Sequence, residues 1–191
     1  MNNDLKDTLV LCDLDHLLLD ANGSLPQVLR DVMQLFASRG GRLTVFSQRS
    51  PRAVRTLLGS VRLAAPALVC GGTLAYQFST GTAQALCSFA GREETVLQKL
   101  PSAVGLGIAL QMTDGTTRVL RMSEALEAHL REEWTPFVLS NAADVRGEDV
   151  LRILLYQDKK QMPLLPLLDQ ALGEAGNTVL AARTAPDTLV L

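Results

Sequence analysis

The sequence is poor in aromatic side chains (4%), has three cysteines, and lacks any apolar run of membrane width. Its longest runs, such as Leu17 to Leu19 and Val150 to Tyr156 interrupted by Arg152, fall far short of the roughly 20 residues a spanning helix needs. No membrane partner is expected. The opening residues MNNDLKD carry two acids and one base and no apolar signal core, so no export signal is read there. Charge of one sign is also scarce: 18 basic against 20 acidic residues give a formal net charge of −2, too weak a field to favour nucleic acid. Cys12, Cys70 and Cys87 show no metal-ligand spacing and cannot all pair. They read as buried free thiols, and with them a reducing, cytoplasmic location.

What is present is ordinary globular material, 47% apolar over 191 residues, enough to bury about 70% of the unfolded chain's surface in one or two cores. Thr8 to Cys12 is a continuously apolar run, the pattern of a strand covered on both faces in a parallel sheet. Val28, Leu29, Val32, Leu35 and Phe36 follow helical spacing, with Pro26 at a first-turn position and Gly40-Gly41 as the stop. Leu43 to Phe46 is a second buried strand, Ser50-Pro51 opens a second helix, and Ala67 to Cys70 is a third strand. This β-α-β-α-β order predicts an open parallel sheet whose functional groups gather at the carboxyl ends of its strands.

After Gly71-Gly72 the pattern changes. Leu74 to Gln77 and Ala83 to Leu86 read as a hairpin around Phe78 to Gly81. A helix from about Arg92 to Leu100 follows, then strands Gly107 to Thr113 and Thr116 to Met122 around Asp114-Gly115, a strong turn dipeptide. Ser123 is the expected N-cap of a helix reaching about Trp134. Val150 to Gln157 is a strand, about Pro163 to Leu172 a helix with Leu164, Leu165, Leu168 and Leu172 facing a sheet, and Val179 to Arg183 and Thr188 to Leu191 two last strands. The expected division is an α/β half, residues 1–86, and an α+β half, residues 87–191. Trp134 and Tyr156 are expected in the second core, and His129 on a solvated helix face.

Asp13 and Asp15 sit at the end of the first strand, one pleat apart on the same side. Two carboxylates so placed can share a hard cation such as Mg²⁺, which brings phosphates with it, and a carboxylate that attacks phosphorus forms an acyl phosphate. By itself Asp-x-Asp is more often just a solvated loop, and its position at the end of an apolar strand is what raises the signal. Ser47 ends the second strand, where a hydroxyl next to a helix N-terminus can donate to a phosphoryl oxygen or simply cap a turn. Arg49 is a ligand contact or a salt-bridged loop residue. Gly71-Gly72 lets backbone approach a ligand, or makes a tight turn.

Together these segments resemble the haloacid dehalogenase (HAD) superfamily, specifically the Cof-type phosphatases with a C2 cap. TLVLCDLDHLLLDANGSLP is similar to the family's first motif, RLTVFSQRSP to its second, and PALVCGGTLAYQFSTG to the strand and hairpin leading into the cap. The resemblance implies a partial Rossmann-like core of three parallel strands with an α+β cap, and a Mg²⁺-dependent phosphatase acting on small phosphorylated metabolites such as sugar phosphates. It makes Asp13 the nucleophile, Asp15 the general acid and then base, both Mg²⁺ ligands, with Ser47, Gln48, Arg49, His16, Gly71 and Gly72 around phosphate and substrate. An alternative is a non-catalytic binding or assembly module derived from the same fold. The chain departs from the family at His16-Leu17 (usually Gly-Thr), Gln48 (usually Gly) and Gly71 (usually Asn). The family's phosphate-binding Lys and Gly-Asp-x-x-x-Asp would follow Leu191, which implies weak or absent Mg²⁺ binding in these 191 residues. The first strand is then a bare apolar edge, calling for a homo-oligomer or a further C-terminal segment to cover it.

Overall fold

Leu9–Asp13 forms β1 and pairs in parallel with β2, Arg42–Phe46, from Leu9 opposite Arg42 to Asp13 opposite Phe46. The computed structural model describes residues 5–100, 105–145, 150–158, 182–185 and 188–191. β2 pairs in parallel with β3, Ala67–Val69, and the chain then doubles back through antiparallel β4, Leu74–Gln77, and β5, Thr82–Ala85. The sheet order is β1-β2-β3-β4-β5. Among the described residues β1 is therefore an edge strand, with Leu9 and Leu11 about half exposed.

The two crossover helices form where spacing and caps require. α1, Gln27–Ser38, begins one residue after Pro26, whose extended backbone makes it the cap residue rather than a first-turn member. α2, Pro51–Leu58, starts on Ser50, whose Oγ accepts from the Ala53 N–H at 3.3 Å, with Pro51 at the position where a missing N–H costs nothing. Its last carbonyls do not go bare: Arg30 of α1 donates to Leu58 O and, at 2.8 Å, to Leu57 O. Gly59 closes the helix at φ +57°, and a Cβ there would lie 2.9 Å from Arg30 Nη1, so both conformation and space call for glycine. Leu14, Val45, Val54, Val69 and Leu74 are fully buried in this unit.

The second unit is a six-stranded sheet of order β10-β11-β9-β6-β7-β8. In chain order its elements are α3 (Glu93–Lys99), β6 (Leu106–Met112), β7 (Thr117–Arg121), α4 (Glu124–Glu132), β8 (Val138–Leu139), β9 (Val150–Gln157), β10 (Ala182–Ala185) and β11 (Thr188–Val190). β7 and β8 are parallel and the other pairs antiparallel. The β6–β7 turn is tied by Asp114, whose Oδ1 accepts from the Thr116 N–H and Oγ1. One sheet face gathers Leu106, Ile108, Leu110, Ile153, Leu155 and Leu189; the other gathers Ala109, Val119 and Leu154 against Leu126 and Leu130 of α4. α4 is capped by Ser123 and lies so close to β6 that a Cβ on Gly107 would come within 2.7 Å of Leu126 Cβ. The chain divides into two units, Met1–Leu86 and Cys87–Leu191. Among the described residues no helix is long and apolar enough to cross a membrane.

Several expectations are corrected. Trp134 is 75% exposed rather than core: it follows α4 at φ +51°, outside the helix whose apolar stripe would have buried it. His129 is not on a solvated face, because it stacks on Tyr156 (centroids 4.7 Å apart) and faces Glu133 at 3.6 Å. Of the thiols, Cys70 is buried, but Cys12 is only partly covered on the edge strand and Cys87 is exposed. The penultimate strand is described over Ala182–Ala185, two residues past the expected Arg183, with 179–181 outside the described residues, and β8 was not anticipated. The helix expected at Pro163 to Leu172, with its four leucines, lies outside the described residues.

Candidate active site

The carboxyl end of β1 does not continue as a strand. Asp13 is its last residue, and Leu14–Leu18 then coil into one wide π-type turn, closed by the Leu19 N–H on Leu14 O at 3.1 Å. Asp15 therefore stands on that turn rather than one pleat further along, which corrects the strand-based placement. The cause is local: Asp13 Oδ1 accepts from the His16 backbone N–H at 2.9 Å, an N-cap that starts the turn. The His16 ring returns to the same carboxylate, Nδ1 lying 3.1 Å from Oδ2 and 3.2 Å from Oδ1. The Asp13 side chain stays 30% exposed, open to an incoming ligand.

Because the turn swings Asp15 toward the end of β2, its carboxylate meets three donors there. Oδ1 accepts from Arg49 Nε at 2.7 Å; Oδ2 accepts from Ser47 Oγ at 2.8 Å and the Gln48 N–H at 3.0 Å. Ser47 is wholly buried, and its Oγ also accepts from the Arg49 N–H at 3.1 Å. The segment after β3 joins through its backbone: Gly71 N–H donates to Ser47 O and Cys70 N–H to Arg49 O. Cys70, Gly71 and Gly72 all have positive φ (52°, 67°, 84°). For Cys70 this is an uncommon conformation, of order 1–3 kcal/mol for a non-glycine residue, and no sequence signal marked it. A Cβ on Gly72 would press on the Phe46 ring at 3.3 Å. Two acids, Ser47, Gln48, Arg49 and His16 thus converge at the ends of β1 and β2, while Gly71 and Gly72 shape the neighbouring turn.

Burial pushes the Asp13 carboxyl up, but the His16 N–H, the His16 ring and the Asp15 N–H outweigh it, so its pKa falls below the ordinary 3.8. A depressed carboxyl favours the fold above that ordinary value and withdraws its contribution as pH drops through the lower folded-state value. Denaturation midpoints followed between about pH 5 and pH 2 are expected to fall more steeply for the native chain than for Asp13→Asn. Parallel slopes would contradict this.

The residues present do not fit Mg²⁺. Such an ion wants a near-octahedral set of oxygens, yet all four side-chain oxygens of Asp13 and Asp15 already face protein donors. Among the described residues no group of three or more His, Cys, Asp or Glu could hold a metal ion.

No protein-family model and no curated protein matches the sequence. Solved structures do match in fold. A haloacid dehalogenase-like hydrolase from Bacteroides thetaiotaomicron superposes with a TM-score of 0.78 at 14% identity, over 96% of this chain and 70% of that one. A HAD/COF-like hydrolase from Plasmodium vivax gives 0.71 at 14% identity, over 98% and 68%. A HAD subclass IIB sugar phosphatase gives 0.68 at 11% identity, over 96% and 68%. The chain spans about two thirds of the length of these structures. Matched along nearly its whole length, this chain has the fold of the HAD superfamily's Cof-type hydrolases.

Proposed function

We propose that the chain handles small phosphate monoesters, of the sugar-phosphate kind, at the carboxyl ends of β1 and β2, and that Cys87–Leu191 is a domain of the cap type. The observation that carries the reading is the convergence of a solvent-accessible Asp13 with Ser47 and Arg49 around Asp15. An Asp13 carboxylate oxygen attacks phosphorus, the bond to the ester oxygen breaks, and an aspartyl phosphate forms. Asp15, once protonated, gives its proton to the departing oxygen. It then takes one from the water that attacks phosphorus and frees Asp13. Ser47 Oγ and Arg49, once Asp15 leaves them, would supply donors to the phosphoryl oxygens.

Turnover by these residues alone is expected to be slow. Asp15 must first leave its three donors, and each donor it withholds from the charge developing on phosphorus costs roughly 10²–10³ in rate. A second reading, a binding module that does no chemistry, draws support from that same engagement of Asp15. Hydrolysis of p-nitrophenyl phosphate separates the two. The hydrolase reading expects slow release that falls to background in Asp13→Asn. The binding module gives no release in either protein. Equal release by both would sink the assignment of Asp13.

A further inference from the structure

We infer that the Asp13–Asp15 pair is neutralised from within the chain, by the Arg49 guanidinium with His16 as a supporting donor, and excludes the divalent cation that such a pair would otherwise attract. The inference concerns the same residues as the phosphate-handling reading and sharpens it: Arg49 takes the place of a metal rather than joining one.

The geometry is specific. Arg49 Nε is 2.7 Å from Asp15 Oδ1, with the two side chains 22% and 16% exposed, so the pair is largely shielded from water. Asp15 Oδ2 is held on its other side by Ser47 Oγ and the Gln48 N–H. A cation entering at Asp15 would have to displace the guanidinium, then share the cleft with its positive charge. At Asp13 a cation would compete with the His16 N–H and ring, which already engage both oxygens of that partly exposed carboxylate. The residue in this position is not incidental. A rigid guanidinium that always carries its charge is the side chain suited to replacing an ion at a carboxylate, and its backbone is fixed at both ends, the N–H on Ser47 Oγ and the carbonyl accepting from Cys70.

The test is Mn²⁺ uptake, followed by the loss of its free-ion paramagnetic resonance signal, in the full chain and in Arg49→Met, Arg49→Lys and Asp13→Asn. The native chain is expected to leave millimolar Mn²⁺ free, Arg49→Met to bind it at least tenfold more tightly, and Arg49→Lys, which keeps the charge, to behave as the native chain. Micromolar uptake by the native chain that disappears in Asp13→Asn would overturn the inference, and this arm needs no variant at Arg49 to fold. Absence of uptake in both native chain and a folded Arg49→Met would also overturn it, since Arg49 would not be what excludes the ion. Neither result touches the turnover test, which reads phosphate release and not cation binding.

Discussion

Asp15→Ala is expected to lose about 2–4 kcal/mol of stability, an effect of structure before any effect on chemistry. The carboxylate is the hub to which the wide turn after β1 and the loop after β2 are both fastened, through Arg49 Nε, Ser47 Oγ and the Gln48 N–H. Removing it takes the acceptor from the wholly buried Ser47 Oγ and a carboxylate partner from a largely covered guanidinium. Breaking a fully buried ion pair from one side costs about 3–5 kcal/mol, and hydrogen bonds to charged groups contribute roughly 1.5–3 kcal/mol each. Partial exposure brings the expectation below their sum. Asp15→Asn, which keeps one carbonyl acceptor, should lose less. Urea midpoints at unchanged slope measure the difference, and a loss under about 0.5 kcal/mol, the range of an exposed pair, would show the cluster to be surface decoration.

The 191-residue chain is also expected to self-associate through β1. Among the described residues β1 pairs only with β2, so its outer N–H and C=O groups have no ladder, and Leu9 and Leu11 stand 52% and 51% exposed beside it. α1 adds Val28, Val32 and Leu35, all more than half exposed at helical spacing. Such an edge seeks another strand, and a second copy or a further C-terminal segment would satisfy it. Covering the exposed half of each β1 leucine is worth about 1 kcal/mol. Leu9→Lys with Leu11→Lys, carried by both copies, removes four such contributions and should therefore weaken association on the order of 10³-fold from lost burial alone, and more from like charges meeting. Sedimentation velocity on both proteins decides: a native chain that stays monomeric at its highest soluble concentration would contradict the expectation.

Much of this was legible in the residues. Strands covered on both faces leave uninterrupted apolar runs, so TLVLC, LTVF and ALVC marked β1, β2 and β3 within a residue, and Ser50 and Ser123 marked helix starts because only a short side-chain oxygen satisfies the first free N–H groups. The candidate site was legible as a set and illegible as an arrangement. Extrapolating the pleat put Asp15 beside Asp13, whereas Asp13 caps a wide turn and hands Asp15 to Arg49. A long-range ion pair between residues 34 apart leaves no trace in local pattern. Leu126, His129, Leu130 and Glu133 do carry helical spacing, and reading His129 on that stripe would have placed it against Tyr156 rather than in solvent. Trp134 was misread because apolar area argues for burial, while a left-handed residue after the helix sends the side chain elsewhere.

The central claim, that Asp13 is the group that takes the phosphoryl, is tested most directly by trapping it. The native chain and Asp13→Asn are incubated with p-nitrophenyl phosphate and with mixed sugar phosphates, with and without Mg²⁺, quenched in acid, digested and mapped by mass spectrometry. The account predicts one phosphoryl group on the peptide spanning Asp13, formed without need of Mg²⁺ and missing from Asp13→Asn. Phosphate release with the label on another peptide, or an unlabelled native chain under all of these conditions, would contradict it.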